Sequence, residues 1–220
     1  RSAGAWQPAR VVGGDYFDVL SLDAGRVALC VGDVVGKGVS AALLMANLQA
    51  AVKAFAGIAR SAADLCERVN RVIADNIAPG KFITFFYGVL DLRSRRLEYC
   101  RAGHNPPLLL RGGGSVRLTE GGPVLGLLPV PGYEQGQAEL CPGDLVLLYT
   151  DGLTEATDAE DQEFGEARLL DVARTHARQG ADRVRVAILD AVTSFAGGQF
   201  QDDATLLVPV SYTHLRAHET

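Results

Sequence analysis

Apolar positions along the chain fall into blocks of two kinds, alternating or recurring every three to four residues, divided by Gly, Pro, Asp and Ser. Asp15 to Leu22 and Arg26 to Gly32 read as two strands joined by the turn Asp23-Ala24-Gly25. The period then lengthens. From about Ser40 to Ala56, Leu44, Leu48, Val52 and Phe55 recur at helical spacing, and Gly57 ends the segment. Ser61, with Asp64 three residues on, caps a second helix whose stripe is Leu65, Val69, Val72 and Ile73. Pro79-Gly80 stops it.

From there to Leu148 the pattern is strand-like. Phe82 to Leu92 and Leu97 to Arg101 flank a turn at Ser94-Arg95. Leu108 to Leu110 and Val116 to Leu118 flank Gly112-Gly113-Gly114, a hairpin turn. Gly165 to Gln179 and Ala181 to Phe195 read as helices, the second with Val184, Ile188, Leu189 and Val192 inward. Ala204 to Val210 is a final strand. Short turns between strands predict mostly antiparallel sheets. Helices in pairs, rather than singly between strands, argue against a doubly wound fold. The expected class is α+β: two sheets face to face, with a helix pair on each outer side. The tail Ser211 to Thr220 lacks periodicity and reads as disordered or non-native, although His214 and His218 are spaced for one helical face.

The chain has 220 residues, 48% of them hydrophobic, which suits one domain with a substantial core, here residues 1–210. It does not begin with Met, so it reads as a piece of something longer with a truncated N-terminus. A net charge of −5 with dispersed Lys and Arg excludes a nucleic-acid face. No apolar run reads as a membrane span, and no signal peptide is visible. Cys30, Cys66, Cys100 and Cys141 are isolated, without metal-ligand spacing. They read as reduced thiols in a cytoplasmic protein.

Acidic residues stand at the ends of the apolar runs. Asp33 closes Val27 to Gly32, Asp151 closes Leu145 to Thr150, Asp202 and Asp203 open Ala204 to Val208, and Asp15 follows Gly13-Gly14. If these ends meet, the carboxylates repel. Two unit charges about 5 Å apart at an effective dielectric near 20 cost roughly 3 kcal/mol, so four in one pocket cost on the order of 10–20 kcal/mol. A domain has only about 5–15 kcal/mol to spare. Such a cluster needs cations or shared protons. Hard divalent ions take oxygen ligands, so these residue types point to Mg²⁺ or Mn²⁺. Gly32, Gly36, Gly38 and Gly152 let backbone approach an ion or a phosphate. Gly32 to Lys37 is one residue too short for a P-loop, and Gly38 stands where Ser or Thr is required, so nucleotide binding is rejected. Lys37 reads as a solvated loop lysine or a phosphate contact.

Five segments in order carry a resemblance. They are Gly13-Gly14-Asp15-Tyr16-Phe17-Asp18, Gly32 to Gly38, Ala102-Gly103-His104-Asn105-Pro106-Pro107, Tyr149 to Glu155, and Asp202-Asp203-Ala204-Thr205. Together they resemble the SpoIIE-type branch of the PP2C-like (PPM) metal-dependent protein phosphatases, over Pro8 to Val210. The resemblance implies a four-layer αββα sandwich. It implies two Mn²⁺ or Mg²⁺ ions whose bridging hydroxide attacks the phosphorus of phosphoserine or phosphothreonine. By position, Asp33 corresponds to the carboxylate bridging both ions, with the Val34 carbonyl, Asp151, Asp202 and Asp15 completing the set; Asp33 and Asp151 are the residues whose loss is expected to abolish catalysis. Asp18 is left open between a group that supports the ligands from behind, an outer ligand, and an exposed strand residue. Asp203 competes with Asp202, since a one-residue shift exchanges them. His104 is a general acid or a turn tie, and Glu155 orients water or a substrate, or caps a turn. Arg10 matches no motif for the phosphate-binding arginine of eukaryotic members.

The implied substrate is a phosphorylated bacterial regulator of anti-anti-sigma type. The implied partner is an upstream sensor or receiver domain acting through the helix pair that follows Asp33. The alternative is a regulatory interaction module with a weak or vestigial metal site.

Overall fold

A computed structural model describes residues 2–7, 13–198 and 200–209. In chain order the strands and helices are β1 (Ser2–Gln7), β2 (Tyr16–Ser21), β3 (Arg26–Val34), α1 (Val39–Ala56), α2 (Ala62–Asn76), β4 (Ile83–Asp91), β5 (Arg96–Ala102), β6 (Leu108–Arg111), β7 (Gly114–Arg117), β8 (Gly121–Gly122), β9 (Gly136–Glu139), β10 (Leu145–Tyr149), α3 (Asp151–Thr154), α4 (Gly165–His176), α5 (Ala181–Phe195) and β11 (Ala204–Pro209). One sheet runs β1-β11-β10-β6-β7. The other runs β2-β3-β4-β5-β8, with β9 also on β5. All pairings are antiparallel except β5 with β8.

The apolar residues divide into three layers. Leu29, Val31, Phe86, Leu97, Tyr99, Val146, Leu148 and Leu207 fill the space between the sheets. The opposite faces of the same strands supply the outer layers. Ala28, Cys30, Phe85, Tyr87 and Cys100 pack under α1 and α2. Leu145, Leu147, Tyr149, Leu206 and Val208 pack under α4 and α5. This is strand alternation at work: odd and even residues of each strand serve different layers. Each large apolar side chain so buried contributes about 1.5–3 kcal/mol. The result is the αββα sandwich that the pattern and the resemblance lead one to expect.

Local signals hold where they are specific. The Ser61 hydroxyl accepts from the Asp64 N–H at 3.0 Å, and Asp64 accepts from the Arg60 N–H at 2.9 Å. The β6–β7 turn places Gly112 and Gly113 at φ 54° and 86°, which glycine adopts without strain. The α5 boundaries agree with the periodicity. The preceding helix is shorter than expected: α4 ends at His176 and continues as one tighter turn over Ala177–Gln179.

One strand lies outside the sequence-based reading, and one reading needs correction. β1 pairs along its length with β11. And α1, 18 residues with Lys53 as its one charge, is long and apolar enough to cross a membrane by length and composition alone. In this fold it lies on β3 and α2, with Ala41, Leu48, Ala51 and Val52 buried. Val210, Arg10 and the tail with His214 and His218 lie outside the described residues.

Candidate metal centre

The alternation that fills the inter-sheet layer also builds the site. In β3, Leu29 and Val31 face the other sheet, and Asp33 is next on that face. In β10, Val146 and Leu148 lead to Thr150. In β11, Leu207 leads back through Thr205 to Asp203. Phe17 leads back to Asp15. At one edge of the sandwich the inward positions therefore change from Leu and Val to Asp and Thr.

The geometry at this edge is dense. Asp15, with 7% of its surface exposed, accepts from the Thr205 hydroxyl at 2.6 Å and from the Thr150 hydroxyl at 2.8 Å. Thr150 and Thr205 are fully buried, and the Thr205 N–H donates to Thr150 Oγ1 at 2.9 Å. The Gly14 N–H donates to the Asp203 carboxylate at 2.8 Å. A Cβ on Gly13 would lie 2.0 Å from Asp203 Oδ2, and one on Gly152 would lie 2.0 Å from the Asp203 carbonyl, so neither position admits a side chain without a shift. Gly152 thus approaches a neighbouring strand rather than an ion. Gly32 packs closely against the Thr84 carbonyl and Leu48. The Val34 carbonyl faces Gly14, beside Asp15.

The carboxyls sense one another. Burial pushes Asp15 up to about 8, with the Thr205 bond opposing and Asp33 adding to the rise. Burial, then the charges of Asp151 and Asp202, push Asp33 up to about 6. Asp151 is raised by burial first and by Asp202 second. Exposed Glu155 is raised by burial and by Asp151, and its N–H donates to the Asp151 carbonyl at 2.8 Å. Lys37 Nζ lies 2.9 Å from Asp202 Oδ2 and donates to the Gln201 carbonyl at 2.8 Å. Lys37 is thus a partly exposed loop lysine held as a counter-charge against the acidic loop.

Asp15, Asp33, Asp151, Asp202 and Asp203 therefore meet, from four separate parts of the chain. Among the described residues, no three His, Cys, Asp or Glu side chains already converge on one point as a ligating group. Each has partners of its own: Asp15 bonds two threonines and Asp33, Asp202 pairs with Lys37, and Asp203 accepts from Gly14. The donor set itself, carboxylates and a carbonyl with no thiol or imidazole, fits a hard divalent cation.

Asp18 does not join them. It lies an odd number of residues from Asp15, so it faces the helix layer, where it pairs with Lys53 of α1 at 3.3 Å and accepts from the Tyr16 hydroxyl at 3.4 Å. The signal was the strand period. The same period separates Asp203, which faces inward beside Asp15, from Asp202, which stands beside Asp151 and Asp33.

His104 is 3% exposed, and both ring nitrogens are engaged. Nε2 donates to the Tyr149 carbonyl at 3.1 Å, because a carbonyl only accepts. Nδ1 then accepts from the Thr84 hydroxyl at 2.8 Å. Burial lowers its pKa to about 4. A ring with both nitrogens occupied inside the protein does not serve as a general acid, so that option is withdrawn. The residues that pattern reading missed are Thr84, Thr150 and Thr205.

The family Stage II sporulation protein E (SpoIIE) matches residues 23–209. The chain belongs to the SpoIIE family of PP2C-like phosphatases. Protein IcfG from Synechocystis is 28% identical over 231 residues, covering 92% of this chain and 36% of IcfG. The phosphoserine phosphatase RsbU from Bacillus subtilis is 28% identical over 203 residues, covering 91% of this chain and 60% of RsbU. The chain thus spans only part of the curated relatives it matches. A solved structure of the RsbU and RsbW domains of Rv1364c from Mycobacterium tuberculosis superposes with a TM-score of 0.81 at 31% identity, over 94% of this chain and 58% of that one.

Proposed function

We propose that this SpoIIE-family domain hydrolyses phosphoserine or phosphothreonine on a regulatory protein, using two Mn²⁺ or Mg²⁺ ions. One observation carries the reading: five aspartates from distant segments gather at one inter-sheet edge of a PPM fold, and burial and mutual charge raise the carboxyls of Asp15, Asp33 and Asp151. Asp33, Asp151, Asp202, Asp15 and the Val34 carbonyl would hold the ions. When bound, such ions activate water for attack on phosphorus and neutralise phosphoryl charge.

The chain's own groups do the positioning. Thr150 and Thr205 orient Asp15, Gly14 orients Asp203, and Lys37 draws Asp202 toward the loop before α1. Lys37 also offers a positive charge to an incoming phosphate. We assign the substrate to the class of anti-anti-sigma-type phosphoproteins, as the family resemblance implies, and place the domain in the cytoplasm, where its four free cysteines stay reduced.

The regulatory partner proposed is an upstream sensor or receiver domain acting through α1 and α2. Val39 and Leu43, 69% and 68% exposed at the start of α1, give it an apolar surface close to the Asp33 loop. Equal turnover and metal affinity in the isolated domain and the full-length protein, under both activating and resting signals, would dismiss this control.

The activity test is Mn²⁺-dependent phosphate release from such a phosphoprotein, with Asp33→Asn and Asp151→Asn as controls. Loss of release in both variants, and in chelator, supports the proposal. Release that persists in either variant or in chelator counts against the metal-dependent mechanism, and a folded sample that binds no Mn²⁺ at millimolar concentration points instead to an interaction module.

A further inference from the structure

We propose that His104 is a positioning residue that sets the distance between the two acidic halves of the site by tying Thr84 of β4 to the Tyr149 carbonyl of β10. The site is divided between the sheets: Asp15 and Asp33 hang from β2 and β3, Asp151 and Asp202 from the ends of β10 and β11. A two-ion centre tolerates little change in that gap, so something must fix it. Thr150, Thr205 and Gly14 also cross the gap, but their contacts end on carboxylates, the groups that must turn toward cations. Lys37 crosses it from a partly exposed loop, to Asp202 and to the Gln201 carbonyl, where water competes for the bonds. The His104 tie uses no carboxylate and can persist while the acidic groups change partners.

Its placement fits the task at both ends. Thr84 is the direct cross-strand partner of Asp33. Tyr149 lies two residues before Asp151. The ring is nearly excluded from solvent, so water does not compete for either bond. The backbone beneath it is fixed as well: the Gly103 N–H donates to the Gly122 carbonyl at 2.9 Å, and Arg101 Nη1 donates to the His104 carbonyl at 3.1 Å. Gly103, at φ 67°, makes the turn that carries the chain from β5 of one sheet toward β6 of the other, with His104 on the crossing. A side chain at Gly103 would meet Val124 at 2.3 Å.

The catalytic consequence rests on the phosphatase reading above; the effect on metal binding does not. The experiment measures Mn²⁺ affinity by calorimetry, and kcat and KM on a phosphoprotein across pH, for the wild type, His104→Phe, Thr84→Val and Thr84→Ser. Groups that orient metal ligands typically govern affinity by about 10–100-fold. His104→Phe and Thr84→Val are each expected to weaken Mn²⁺ binding about tenfold or more and to lower kcat with KM for the phosphoprotein little changed. Thr84→Ser, which keeps the hydroxyl, is expected to retain wild-type affinity, and no variant is expected to lose a limb of the pH profile.

If His104→Phe does not fold, the Thr84 pair carries the test. Folded His104→Phe or Thr84→Val binding Mn²⁺ as the wild type does would overturn the inference. So would loss of the alkaline limb with affinity intact, which marks a proton donor. A wild type that binds Mn²⁺ but releases no phosphate, with binding weakened in the variants, would sink the phosphatase reading and leave His104 in this role.

Discussion

Lys37 Nζ stands 2.9 Å from Asp202 Oδ2, so the loop before α1 supplies a positive charge to the acidic end of β11. A lysine and a divalent ion compete for the same carboxylate. Lys37→Met is expected to strengthen Mn²⁺ binding by roughly threefold, the modest size reflecting a partly exposed pair screened by water. Titration calorimetry at fixed ionic strength checks this. Weaker binding in the variant would instead make Lys37 an organiser of the site.

The raised carboxyls set a pH dependence of stability in chelator. Asp15 and Asp33 titrate at about 8 and about 6 in the folded chain, against 3.8 ordinarily, so folding takes up protons. Their contribution is complete below the ordinary value and is lost as the pH rises through 6 and 8. His104 acts in the opposite sense, folded at about 4 against 6.5, so its contribution is lost as the pH falls through that interval. The effects overlap below pH 6.5; above it Asp15 dominates. In chelator, Tm is expected to fall from pH 6.5 to 8, by up to about 1.4 kcal/mol of stability per pH unit for one proton. Saturating Mn²⁺ is expected to remove the trend. A Tm that holds or rises in chelator over that interval contradicts it.

Thr205→Val keeps the shape of the side chain and deletes the 2.6 Å bond to Asp15. A hydrogen bond to a charged group contributes about 1.5–3 kcal/mol. Because that bond favours the ionised, ligating form, Mn²⁺ affinity is expected to fall about tenfold or more. Calorimetry on Thr205→Val and Thr205→Ser separates the hydroxyl from the methyl.

The adjacent pair Asp202 and Asp203 is expected to divide its effects. Asp202→Asn removes a repulsive partner of Asp33 and Asp151, so it weakens Mn²⁺ binding without lowering Tm in chelator. Asp203→Ala strands the buried Gly14 N–H and is expected to cost about 1–3 kcal/mol in chelator. Thermal scans of both variants decide. The reverse pattern exchanges the two roles.

The aspartates were legible because acidic residues capping apolar runs are conspicuous against a hydrophobic background. The helix pairs were legible because 3.6-residue periodicity is local. What was not legible depends on pairing. Thr150 and Thr205 look like ordinary strand residues until β10 and β11 are set side by side and their inward faces compared. Four of the six β1 residues are Ser, Ala or Gly, which give little strand signal, and the strand is defined by its pairing with β11. β8 and β9, two and four residues long, are too short to show a period. Asp18 was left open although the sequence contains the deciding feature, an odd spacing from Asp15. The His104 bonds reach residues that are distant in sequence and on different sheets, and no spacing rule anticipates them.

The central claim is that these carboxylates hold two divalent ions at the inter-sheet edge. Anomalous diffraction from crystals soaked in Mn²⁺ tests it most directly. Two peaks about 3.5–4 Å apart, bounded by Asp33, Asp151 and Asp202, are expected. Manganese absent from that edge, or bound elsewhere on the molecule, would contradict the account.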